Sequence, residues 1–84
     1  MNDEIKFDLL LDAKGLGCPL PILKTKKALE SLDLDKVLKV ETTDPASKKD
    51  LASWARRTGN ELLRIDEHSG TFVFYIKKSA AREQ

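Results

Sequence analysis

Residues 11–32, LDAKGLGCPLPILKTKKALESL, change hydrophobic period midway, and that change decides how the chain is built. Leading into them, Phe7, Leu9 and Leu11 alternate around Asp8 and Leu10, the two-residue period of a first strand that ends near Ala13. Beyond the change, at about 100° per residue, Ile22, Thr25, Leu29 and Leu32 share one face with Ala28 at its edge, which predicts a helix from Pro19 to about Leu32 with this stripe in the core. Between the two periods the loop Lys14-Gly15-Leu16-Gly17 turns the chain, and its glycines supply the backbone freedom of a turn. The loop delivers the single cysteine, Cys18, to the start of the helix.

The first four N–H groups of a helix have no partner inside it, and proline is tolerated there because its missing N–H was an orphan anyway. With Cys18 as N-cap, Pro19 is the first helical residue and Pro21 the third, so two orphan donors are deleted and the amides of Cys18 and Leu20 remain. Pro19 also pushes Cys18 toward the extended conformation of an N-cap. A thiolate there feels the positive end of the helix dipole and the nearby Lys24, Lys26 and Lys27, all favouring ionisation. The acid shift is expected to be modest, because the prolines remove the amides that would hold the anion most tightly. That suits a sulfur that must attack and then be attacked, since nucleophilicity falls along with pKa. The competing reading, a free cysteine packed as a small apolar side chain, stays open at this point.

Leu20 and Leu23 fall opposite the core stripe, among Lys24 and Lys27 and within a turn and a half of Cys18. Exposed leucines on a basic face beside a reactive sulfur read as a docking surface for another protein, although single exposed leucines are also common on any surface.

Further on, Leu38, Val40 and Thr42 alternate with Val37, Lys39 and Glu41 in a second strand. Asp44-Pro45 repeats the grammar of a helix start, a capping carboxylate followed by proline. Asp44 is first a cap and second a residue that could face a partner. Ser47, Leu51, Trp54, Ala55 and Thr58 form the buried face of this second helix, Lys48, Lys49, Arg56 and Arg57 point outward, and Gly59 ends it. The last third reads as a hairpin. Leu63 and Ile65 alternate in one strand, His68-Ser69-Gly70-Thr71 turns, and Phe72-Val73-Phe74-Tyr75-Ile76 returns. Apolar residues on both faces of the last strand place it centrally, or leave Val73 and Tyr75 as an open patch. His68, the only histidine, reads as a surface residue of the turn.

The element order is strand, helix, strand, helix, strand, strand. Right-handed crossovers place both helices on one face of a four-stranded mixed sheet, so the expected fold class is α/β, a two-layer βαβαββ sandwich. Cys18 and Asp44 then fall at one edge, where strand C-termini meet helix N-termini and where α/β folds concentrate reactive groups.

With 84 residues the chain is expected to be one domain over residues 1–84, with loose polar ends at about 1–6 and 79–84. Fifteen Lys and Arg nearly cancel fourteen Asp and Glu, so net charge marks neither a nucleic-acid nor a membrane binder. One cysteine cannot form an internal disulfide, and no signal-peptide or membrane-spanning stretch stands out, which points to a reducing, cytoplasmic compartment. A lone thiol lacks the resolving cysteine of thioredoxin-like chemistry, and no second imidazole or thiol joins His68 in a metal site.

The run from Leu11 to Pro21, with Lys24-Thr25-Lys26-Lys27-Ala28-Leu29, Thr43-Asp44-Pro45 and Thr58-Gly59-Asn60-Glu61-Leu62-Leu63, resembles the TusA, or SirA-like, family of sulfur-carrier proteins over about Phe7 to Lys78. The resemblance implies the same two-layer fold. It also implies that Cys18 receives sulfane sulfur as a persulfide from a cysteine desulfurase or a rhodanese and passes it to an acceptor protein. Known members feed tRNA 2-thiouridine formation, sulfur oxidation, or molybdenum-cofactor and selenium-related pathways. No cofactor or metal is implied, nor direct contact with nucleic acid. Leu20 stands where tRNA-thiolation members commonly carry an acidic residue, and Lys14 is a second departure. The fold also resembles the RNA-binding C-terminal domain of bacterial translation initiation factor three, so the alternative is an RNA-binding or regulatory module without sulfur chemistry.

Overall fold

The structure, a computed structural model, describes residues 6–17 and 20–79. Residues 1–5, Cys18, Pro19 and residues 80–84 lie outside the described residues, and with them most of the two ends expected to be loose. The elements are β1 (Leu9–Ala13), α1 (Leu20–Glu30), β2 (Val37–Thr42), α2 (Pro45–Arg57), β3 (Glu61–His68) and β4 (Thr71–Lys77). Strand order is β1-β2-β4-β3, with β1 parallel to β2 and β4 antiparallel to both its neighbours. This is the expected mixed sheet with both helices packed on one face. The last strand is indeed central.

Alternation along β2 places Leu38, Val40 and Thr42 against the helices, in register with Leu9, Leu11 and Ala13 of β1 and with Ile76, Phe74 and Phe72 of β4. Against them pack Leu29 of α1 and Leu51, Trp54 and Ala55 of α2, completing the core. In α1 the buried row is Pro21, Thr25 and Leu29, while Ile22 is half-buried. Pro21 is therefore a core side chain as well as a helix-start residue, because it occupies the same i, i+4, i+8 row as Thr25 and Leu29. Thr25 is accommodated by donating its hydroxyl to the Pro21 carbonyl at 2.7 Å.

The starts and stops of α2 follow from local chemistry. Asp44 has extended backbone (φ −86°, ψ 115°), and its Oδ1 accepts from the Ala46 amide at 3.1 Å. At the other end Gly59 takes φ +82°, its amide reaches the Arg56 carbonyl, and the Asn60 amide reaches the Ala55 carbonyl at 2.9 Å, a complete Schellman closure. Asp44→Ala is expected to lower unfolding free energy by about 0.5–2 kcal/mol, measured by urea titration, because the Ala46 amide loses its acceptor.

Two expectations are corrected, and of the two alternatives for the last strand the central placement holds. Phe7 does not alternate with Leu9 and Leu11 into the core: the chain bends at Asp8, β1 begins at Leu9, and Lys39 Nζ lies 5.0 Å from the Phe7 ring centroid on the opposite, helix-free face. In β3 a bulge between Leu62 and Arg64 leaves Leu63 as the extra residue, so Leu62 and Ile65, rather than Leu63 and Ile65, stand opposite Ile76 and Phe74 and pack against the core. Val73 and Tyr75 do lie on the helix-free face but form no open patch, being only 8% and 7% exposed. The register surrounds them with Lys39, Glu41, Arg64 and Asp66, whose stems cover apolar surface while their charges pair in solvent. Arg64 meets Asp66 at 2.8 Å, and Lys39 Nζ stands 5.7 Å from the Tyr75 ring centroid.

Candidate functional site: the edge where both helices begin

Ala13 and Thr42 are register partners at the C-terminal ends of β1 and β2, so the two connections leading into α1 and α2 leave the sheet side by side. The first, residues 14–19, carries the thiol. Cys18 and Pro19 lie outside the described residues, so the site is defined by what brackets them. Upstream, the Leu16 amide closes a turn on the Ala13 carbonyl at 3.3 Å, and Gly15 takes φ +82°, a backbone region that favours glycine. Downstream, the Leu20 amide donates to the Gly17 carbonyl at 2.9 Å.

That last bond corrects the expectation that the Leu20 amide is left as a donor. It is used by the turn, and together with the two prolines this withdraws three of the backbone donors at the helix start from any anion placed there. Of the two amides expected to remain, the other, that of Cys18, lies outside the described residues.

Lys24 and Lys27 line a groove of ≈ 240 Å³ with Leu11 and Ala28, where α1 crosses β1. Leu20 and Leu23 are exposed, at 44% and 54%, as their helical phase requires. The structure thus places Leu20, Leu23, Lys24 and Lys27 on the outward side of α1 and Asp44 at the start of α2. Asp44 is half-buried and acts as a cap, with Ser47 Oγ at 3.4 Å from its Oδ2.

Sequence reading missed the residues that tie the thiol-bearing loop to the second helix start. The Gly15 amide donates to Thr43 Oγ1 at 2.9 Å, and Lys14 Nζ reaches Glu41 Oε1 at 2.8 Å and Asp12 Oδ1 at 3.3 Å. The Glu41 and Asp12 carboxylates raise the Lys14 pKa, and the Lys14 backbone amide, followed by its side chain, lowers that of Asp12. Lys14 is consequently committed to the helix-free face of the sheet. The available signal was the threonine before Asp44-Pro45, but only the parallel pairing of β1 and β2 shows what it meets. Among the described residues no group of three or more His, Cys, Asp or Glu side chains is arranged to hold a metal ion.

A family model described as Sulfurtransferase TusA matches residues 10–78. The chain is 53% identical over 73 residues to the sulfur carrier protein TusA of Allochromatium vinosum, covering 87% of this chain and 96% of that protein. A longer relative from Aquifex aeolicus, 40% identical, is covered over 40% of its own length. The crystal structure of a SirA-like protein from Desulfitobacterium hafniense superposes with a TM-score of 0.75 at 26% identity, covering 86% of this chain and 99% of that one. The family match runs from the second residue of β1 to just past β4, through both helix starts and the Cys-Pro-Leu-Pro entry, and this chain belongs to the TusA family of sulfur-carrier proteins.

Proposed function

We propose that the chain, acting as one domain in the cytoplasm, accepts sulfane sulfur on Cys18 as a persulfide and relays it to an acceptor protein. The observation that carries this reading is a lone thiol at a Cys-Pro-x-Pro helix entry in a member of this family. The chemistry needs no oxidant. The Cys18 thiolate attacks the outer sulfur of a donor persulfide, a new S–S bond forms, and the donor thiolate leaves. An acceptor thiolate then takes the outer sulfur and releases the Cys18 thiolate. The donor is a cysteine desulfurase or a rhodanese. The acceptor serves tRNA 2-thiouridine formation or another sulfur-trafficking or sulfur-oxidation route. The protein is a carrier without independent turnover, since each cycle consumes one donor and one acceptor. No helix among the described residues is long and apolar enough to cross a membrane.

Incubation with a cysteine desulfurase and cysteine, followed by intact-mass measurement, tests the proposal. One added sulfur atom on Cys18 is the expected result. A chain that takes up no sulfur, yet retains RNA at high salt even as Cys18→Ser, would instead be an RNA-binding module.

Docking of the donor is assigned to Leu20 and Leu23 with Lys24 and Lys27. Leu23→Glu is expected to slow loading by a protein donor about tenfold or more, while alkylation of Cys18 by iodoacetamide stays unchanged, because only the protein must cover that face. The melting temperature should hold, since Leu23 is exposed. A marked fall in melting temperature would place Leu23 in the core.

A further inference from the structure

We infer that the open edge of β1 takes an extended acidic segment of a partner protein as an added strand, a recognition that needs no sulfur chemistry. The sheet has two outer strands, β1 and β3, and they are built differently. β3 carries the features that blunt an edge: a bulge between Leu62 and Arg64, and the charges of Glu61, Arg64, Asp66 and Glu67 along it. β1 carries neither. Its residues, Leu9 to Ala13, run in unbroken register with β2, begin with three consecutive leucines, and include no lysine or proline. Leu9 and Leu10 are 37% and 48% exposed, and among the described residues no strand pairs with β1 from outside. A flat apolar edge of this kind is a template for pairing with another chain.

Backbone alternation fixes which groups the edge offers. The Asp8 amide donates to the Val37 carbonyl of β2 at 2.8 Å. Successive residues of a strand turn their N–H and C=O to opposite sides, so Leu10 and Asp12 also face β2, while Leu9 and Leu11 direct theirs outward. On the helix side of this edge Lys24 and Lys27 line the groove with Leu11 and Ala28. Both lysines are exposed, and neither forms an ion pair with a described carboxylate. An added strand alternates faces with a period of two, so a segment acidic at every second residue sets its carboxylates toward Lys24 and Lys27 and its apolar side chains beside Leu10. A second copy of this chain fits less well. Antiparallel pairing of two β1 edges about a two-fold axis keeps both helix layers on one side of the joined sheet and turns the lysines of the two α1 helices toward each other.

The test uses the full chain and two synthetic peptides of about seven residues, one alternating valine with glutamate and the other valine with lysine. Binding is followed by titration of backbone chemical shifts and by amide hydrogen exchange. The glutamate peptide is expected to bind, to slow exchange at the outward-facing Leu9 and Leu11 amides, and to outbind the lysine peptide about tenfold or more. In the double variant Lys24→Glu with Lys27→Glu, both at exposed positions, the preference should invert. Leu9→Pro removes one outward donor at the first residue of the strand while the ladder to β2 keeps its bonds, and should weaken the glutamate peptide about tenfold. Failure of the glutamate peptide to bind, equal affinity for the two peptides, or binding that leaves exchange at Leu9 and Leu11 unchanged overturns the inference. So does protection of those amides in the free chain: if it rises with protein concentration the occupant is a second copy, and if it does not the chain covers its own edge. Because every readout is independent of Cys18, failure here leaves the relay standing, and failure of sulfur loading leaves this edge standing.

Discussion

Cys18→Ser will yield a folded protein that carries no sulfur. Loading measured by intact mass should fall from one sulfur atom per chain to none, because the hydroxyl cannot form a persulfide. The unfolding midpoint should barely move, with a change under about 1 kcal/mol, since serine is among the preferred N-caps and adds no volume. The combination matters more than either part. Loss of both activity and fold would make Cys18 a packed apolar residue, the reading its residue type alone leaves open. Sulfur uptake by the serine variant would move the relay to another group altogether.

The largest effect on stability is expected at Phe74. It is fully buried at the centre of the sheet, between Val40 of β2 and Ile65 of β3, beneath the residues of both helices. Phe74→Ala should cost about 3–5 kcal/mol, through lost transfer energy and a cavity that neighbouring strands, fixed by their ladders, close only in part. Domains of this size are stable by roughly 5–10 kcal/mol, so the variant will have a urea midpoint near half that of wild type or will not fold at all. Phe74→Leu, which leaves a smaller cavity, should lie between. A cost below about 1 kcal/mol for Phe74→Ala would mean that the core is centred elsewhere. The two replacements separate the molecule's duties, one removing the chemistry and leaving the scaffold, the other the reverse.

Where short-range chemistry decides structure, residues alone were enough. Asp44-Pro45 starts α2 as read, because a cap and a proline act on amides within three residues. The turn expected over His68 to Thr71 is made by Ser69 and Gly70, both at positive φ, while His68 and Thr71 pair as strand ends. The buried face of α2 is the one its helical period marks, and the exposed Leu20 and Leu23 follow from the same geometry in α1. The thiol's place in the chain, between a glycine loop and two prolines, was likewise legible.

What the period could not supply was anything set by strand neighbours. The bulge at Leu63 shifts one side of the hairpin by a residue, and alternation carries no sign of it because Leu62 and Leu63 are equally apolar. Alternation left open whether the last strand is central or exposes Val73 and Tyr75, and the pairing with β2 and β3 decides it by bringing Lys39, Glu41, Arg64 and Asp66 alongside them. At the site, the sequence marks the lone thiol and the Cys-Pro-Leu-Pro entry around it. Only the pairing of Ala13 with Thr42 brought Gly15 to Thr43 and Lys14 to Glu41, bonds between residues 28 and 27 apart. Capping and turn formation are decided within a few residues of the chain, whereas a hydrogen bond across two connections exists only after the sheet has set which strands lie side by side.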